Sequence, residues 1–186
     1  MKRDLELASR QMEDTFLEAG RLADGCDDAQ WVWTPSPGVW SAAGCIAHLN
    51  QTNRAYVTAI RSVLESGNPE RSAATDFRYG LLERWFVKSM EPPVKIKLKA
   101  PKVFVPLAVD SKEAAMAEWQ RIHLELTSLI ERSEPLHLTK NKVTSPAVRF
   151  LKISLGMAFA LIAAHNRRHL YQAREMIGRA PRSAAT

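Results

Sequence analysis

At 186 residues, the chain has the length of one domain that can bury a substantial core. Its 46% hydrophobic and 25% charged residues, with 8 Gly and 10 Pro, exclude a low-complexity or disordered polymer. The formal charge of +6 would suit anionic partners. However, the basic residues are dispersed, with local density only at Lys95 to Lys102 and around Arg167, Arg168 and Arg174, so charge alone does not argue for nucleic acid.

The longest apolar run, about Ile153 to Ala164, falls short of the roughly 20 residues that cross a bilayer. The start, Met1-Lys2-Arg3-Asp4, turns acidic without the apolar core of an export signal. A cytoplasmic protein without a membrane span is the expectation. Cys26 and Cys45 are too few for a disulfide framework and are expected to be reduced.

From about Asp4 to Ala23, Leu5, Met12, Phe16, Ala19 and Leu22 share one face, with charged residues between them, which predicts an amphipathic helix. Gly25 and Thr34-Pro35-Ser36-Pro37-Gly38 break that rhythm, and Trp31, Trp33 and Trp40 give the connection apolar mass that must pack. Ser41 is positioned to cap a second helix, in which Cys45, His48, Thr52, Ala55, Ala59 and Val63 repeat at helical spacing until Ser66-Gly67-Asn68-Pro69.

Between Pro69 and Val109 the rhythm is lost, apart from a short predicted helix around Tyr79 to Met90. A connection this long requires local structure or a function. Within it, Lys95, Lys97, Lys99 and Lys102 alternate with Val94, Ile96 and Leu98, which suits an edge strand with its lysines outward. Ser111 caps a third predicted helix, with Ala115, Trp119, Ile122, Leu126 and Leu129 inward, ending near Ser133-Glu134-Pro135. A fourth is predicted from about Ser145 or Ala147 to Ile177, with Gly178 as its C-cap and Pro181 beyond. Four long helices, one long crossover (69–109) and no repeats predict an all-α single domain over 1–186, folded as a four-helix bundle.

The chemistry is concentrated in His165-Asn166-Arg167-Arg168-His169. Histidines four apart project from one helical face, and they continue the inward stripe Leu151, Leu155, Ala158, Ile162 toward Gln172 and Met176. A single histidine on such a stripe reads as a hydrogen-bonded core residue. With His48 on the inward stripe of the second helix there are three, and few polar groups are at hand to pair them. One divalent ion bound by His48, His165 and His169 would satisfy all three. Three imidazoles suit zinc, nickel, copper or iron and leave a coordination position open.

Two other metal arrangements fail on spacing. A di-iron centre needs inward Glu-x-x-His pairs, but Glu134 and His137 flank Pro135 in a connection. The zincin pattern needs Glu where this chain has Asn166. Cys45 reads as a buried thiol and His123 as a boundary residue flanking the third helix's stripe. Gln172 and Thr52 are placed to orient imidazoles or water, Tyr56 reads as core, and Arg167 and Arg168 point away from the histidines toward solvent or an interface.

Pro37-Gly38-Val39-Trp40-Ser41 leading into His48-Leu49, followed by His165-Asn166-Arg167-Arg168-His169-Leu170-Tyr171-Gln172-Ala173-Arg174, resembles the DinB-like, or YfiT-like, group of metal-dependent enzymes across Trp31 to Ile177. The resemblance implies an up-down-down-up bundle with the long crossover between helices two and three. It also implies a nickel or zinc ion on three histidines that map onto His48, His165 and His169. Members of the wider group include thiol-dependent S-transferases or isomerases and hydrolases, and they commonly form homodimers. The family name derives from DNA-damage induction and is no argument for DNA chemistry. The expected partner is therefore a small molecule such as a low-molecular-weight thiol. The competing reading is a non-catalytic metal-binding or protein-interaction module.

Overall fold

In the computed structural model, residues 1–66, 77, 80–93, 100–106 and 111–181 are described. Its elements in chain order are α1 (Arg3–Asp24), α2 (Asp28–Val32), α3 (Ala42–Ser66), α4 (Leu81–Met90), a 3-10 turn (Lys102–Phe104), α5 (Lys112–Arg132), β1 (Lys142–Thr144), β2 (Lys152–Ser154) and α6 (Leu155–Arg179). The described chain is mostly helical with a small two-stranded antiparallel sheet.

The long helices start where capping chemistry places them. Ser111 accepts from the Ala114 amide, Ser154 from Met157, and Ser41 from Gly44 at 3.1 Å, each satisfying an amide that the helix itself leaves unpaired. Asp27 and Gln30 form a reciprocal capping box on α2, a short helix inside the segment where the sequence predicts a connection. It seats Trp31 at 1% exposure. Gly38 takes φ +82°, a backbone conformation that side chains disfavour, and the Thr34 hydroxyl donates to the Ser36 and Val39 carbonyls to close that turn.

The largest correction concerns the start of the fourth helix. Instead of beginning at Ser145 or Ala147, the chain pairs Val143 with Ile153 in a hairpin, and α6 begins at Leu155. Pro146 interrupts the segment, Leu151 lies outside the helix and is exposed, and Ser154 provides the cap. At the other end the helix runs through Gly178 to Arg179, with Ala180 rather than Gly178 as its C-cap.

The contacts of α3 give its direction. Asn50 Nδ2 donates to the Ala115 carbonyl, Arg54 pairs with Glu118, and Arg61 pairs with Glu125, so α3 and α5 run the same way. Parallel neighbours in sequence require a return path as long as the helix, and the crossover provides it. Part of that path is α4, which tracks α6 through Glu83 to Ser154, Ser89 to Arg168 and Glu91 to Arg167. Phe77 anchors it against Gly156, where a Cβ would lie 2.8 Å from the ring. The lysine-alternating segment 94–99 lies outside the described residues.

Helix α1 packs on α5 and α6, and α3 packs on the same two. The interior between them holds two apolar clusters. One contains Leu5, Met12, Ile60, Leu126, Phe159 and Ile162; the other contains Trp31, Ile46, Leu49, Trp119 and Leu170. Along α1, α3 and α6 the residues separating the two clusters include Thr15, Asn53, Asn166 and His169, all buried. A polar layer thus divides the core. No helix among the described residues is long and apolar enough to cross a membrane.

Candidate metal centre

His48, His165 and His169 come together, each offering a ring nitrogen within 4.8 Å of the others. His48 and His169 are buried, and His165 is partly buried. The ring centroids stand 5.1 Å (His48 to His165), 4.5 Å (His48 to His169) and 4.6 Å (His165 to His169) apart, with the rings inclined at 60° to 70° to one another. Edge-on convergence of this kind directs nitrogens, rather than ring faces, toward a common point. Among the described residues no Cys, Asp or Glu joins the group.

The crossover fixes the role of His48. Its Nδ1 lies 2.7 Å from the Phe104 carbonyl oxygen. A carbonyl can only accept, so Nδ1 carries the proton and Nε2 presents a lone pair. That Nε2 lies 3.3 Å from Nε2 of His165. The spacing matches the edge, about 3.3 Å, of a tetrahedron of nitrogens bound to one ion at about 2.0–2.1 Å. Nδ1 of His169 is buried and has no hydrogen-bond partner among the described residues.

Electrostatics keep the rings neutral, as metal ligands must be. Burial, followed by the neighbouring His48 and the Arg168 cation, pushes His165 down to about 3. Burial, then His165, His48 and Arg168, pushes His169 down to about 2, against a hydrogen bond with Gln172 that favours the charged ring. His48 is lowered by burial and partly restored by its bond to Phe104. Neutral rings, one fixed tautomer, an unpartnered buried nitrogen and an all-nitrogen donor set fit a divalent metal ion.

The surrounding residues divide between expected and unexpected roles. Gln172 hydrogen-bonds the His169 ring. Thr52 does not orient an imidazole; its hydroxyl donates to the His48 and Leu49 carbonyls at 3.0 and 3.1 Å within α3. Cys45 is buried, and burial pushes its thiol up to about 12, so it stays protonated. Tyr56 lies in the apolar core and contacts Ser145. His123 lies apart from the centre, stacked on Phe16 at 4.3 Å with Nε2 3.1 Å from Glu13. Arg167 meets Glu91, but Arg168 is not solvated. It is 5% exposed and donates to the Ser89 carbonyl, because α4 covers that face of α6.

Sequence reasoning missed two contributors. Trp40, read as apolar mass and as part of the Pro37 to Ser41 block but not as a neighbour of the histidines, lies beside the site with its ring tilted, 4.7 Å from the His48 ring and 5.7 Å from the His169 ring. Gly44 eases that approach, since a Cβ there would sit 3.3 Å from Trp40 Cβ, a tight contact. The other is the Phe104 carbonyl, for which no side-chain signal exists.

Helices packed around a buried three-histidine cluster that can hold a metal ion define a class of protein. The DinB superfamily model matches residues 11–173, and the chain belongs to that superfamily. No curated protein and no solved structure matches it.

Proposed function

We propose that this chain is a metal-dependent enzyme in which His48, His165 and His169 hold one divalent ion, nickel or zinc. In this reading, residues 1–186 form a single domain folded as an up-down-down-up four-helix bundle. The parallel run of α3 and α5 supports that topology.

The observation that carries the reading is the tautomer of His48. Its proton is committed to the Phe104 carbonyl, so its lone pair faces the nitrogen of His165. In metalloproteins a carbonyl partner of this kind orients the ligand and raises its basicity. A divalent ion bound there supplies Lewis acidity that lowers the pKa of a water or thiol at its open position.

The chain's own groups favour thiol transfer over a reaction needing a carboxylate base, because no carboxylate joins the three histidines among the described residues. Cys45 is protonated and serves as packing, so the thiol in this reading is a small-molecule substrate. Trp40 forms an aromatic wall beside the ligands. The reaction proposed is an S-transfer or hydrolysis on a small molecule.

Elemental analysis of tag-free protein tests the metal reading. One equivalent of nickel or zinc is expected in the wild type and less than a tenth of that in His165→Ala. Full retention of metal by all three single His→Ala variants refutes the site. Turnover of thiol and electrophile panels that needs the metal and is lost in His165→Ala supports the enzyme, and turnover unchanged in that variant refutes it.

A further inference from the structure

The polar layer holds a second constellation, which the histidines do not use. Asn53 of α3 donates from Nδ2 to Oδ1 of Asn166 on α6 at 3.0 Å. Thr15 of α1 and Trp119 of α5 line the same small cavity, so all four long helices contribute a polar side chain. Their exposures are 2% for Thr15, 1% for Asn53, 3% for Trp119 and 2% for Asn166.

Two polar atoms in this group have no partner among the described residues. They are Oδ1 of Asn53, an acceptor, and Nε1 of Trp119, a donor. A buried polar group left unpaired is costly, and native interiors satisfy such groups with protein or water. Both residues line the cavity, and an unpartnered acceptor with an unpartnered donor is complementary to a ligand that both donates and accepts. The cavity leaves about 10 Å³ open to the centre of a water molecule, which is room for one.

The walls carry no carboxylate to hold a cation, and a cavity of this size excludes a larger polar molecule. The Thr15 hydroxyl spends its proton on the Met12 carbonyl at 3.0 Å and keeps its lone pairs.

We infer that this cavity is a binding site for a single internal water that accepts from Trp119 Nε1 and donates to Asn53 Oδ1 and Thr15 Oγ1. Three hydrogen bonds are the usual complement of a buried water. The water joins α1, α3 and α5, and the Asn53–Asn166 bond extends the junction to α6. Asn166 adjoins His165, and Asn53 follows His48 by little more than one turn. The junction therefore fixes the register of α3 against α6 where His48 meets His165, which makes Asn53 and Asn166 positioning residues. That last step rests on the proposed metal reading; the water site does not.

Water-selective NOE and ROE spectra of the ¹⁵N-labelled full chain test the site, with the Trp119 indole proton assigned from Trp119→Phe. The expected result is a water cross-peak at that proton with the sign of a long-lived bound water, shifted in Thr15→Val and lost in Asn53→Leu. A folded wild type without that cross-peak overturns the proposal, whether or not either variant folds.

Zinc titration tests the positioning step. Asn53→Leu is expected to bind about 10-fold more weakly, in the range of outer-shell substitutions, while Thr15→Val, which keeps the Asn53–Asn166 bond, binds as the wild type does. Equal affinity in wild type and both variants overturns the positioning role. A wild type that binds no zinc or nickel overturns the metal reading and the positioning step with it, and leaves the water result to stand by itself.

Discussion

The two apolar clusters and the polar layer between them are equally buried but have opposite chemistry. The clusters are filled by side chains such as Phe159, Ile162 and Trp31, none more than 1% exposed, which stabilise the fold by leaving water. The layer is filled by His48, Asn53, Asn166 and His169, at 2%, 1%, 2% and 8%, which lose hydration when buried. Four helices could be held together by apolar packing alone. A buried polar layer opposes stability unless each group finds a partner, so placing one between two apolar clusters costs the fold free energy that apolar residues there would not.

Acid separates the two regions most strongly. His165 and His169 are pushed down to about 3 and about 2 in the fold, against 6.5 when unperturbed. The unfolded chain therefore binds more protons below pH 6.5. The metal-free protein should be at full stability above that pH and lose it progressively as pH falls through and beyond it. Urea unfolding from pH 8 to pH 4 in chelator measures this. A double variant, His165→Leu with His169→Leu, should show a flatter profile; an unchanged slope would mean the layer is not the source.

Truncation of the apolar clusters comes next. Phe159→Ala should cost about 3–5 kcal/mol in urea unfolding, combining lost transfer energy with a cavity, and should leave metal stoichiometry at one in the fraction that folds. Loss of metal from folded Phe159→Ala would show that the clusters and the layer are not separable.

The smallest effect carries the opposite sign. His169→Leu removes a nitrogen, Nδ1, without a partner among the described residues, along with a hydrogen bond to Gln172, whose partly exposed amide can turn to water instead. It should therefore stabilise the metal-free protein by about 1 kcal/mol, and it should abolish the gain in melting temperature expected of the wild type on adding zinc or nickel under the proposed metal reading. Destabilisation without metal would show that the His169 ring contributes to the fold itself.

Much of this arrangement is legible in the chain. Positions 48, 165 and 169 fall on inward stripes because helical periodicity is local, and a histidine on such a stripe is conspicuous against Leu, Ile and Ala. The caps Ser41 and Ser111 are legible for the same reason. The hairpin is not, because strands of three residues are too short to express an alternation, and Leu151, four residues before Leu155, falls at the spacing of a helical stripe. The burial of Arg168 is equally hidden, since it depends on α4 arriving from elsewhere in the chain.

By itself, the sequence determined the four long helices, the need for a crossover and the three histidines that face inward, because each follows from spacing within a single segment. Tertiary structure alone decided that the three meet within 4.8 Å and that His48 is held by a backbone carbonyl 56 residues away. It also decided that Trp40 flanks them and that Asn53 and Trp119 share a cavity. Those facts depend on the relative placement of distant segments, and a main-chain carbonyl is the same in every residue type, so no residue pattern could announce it.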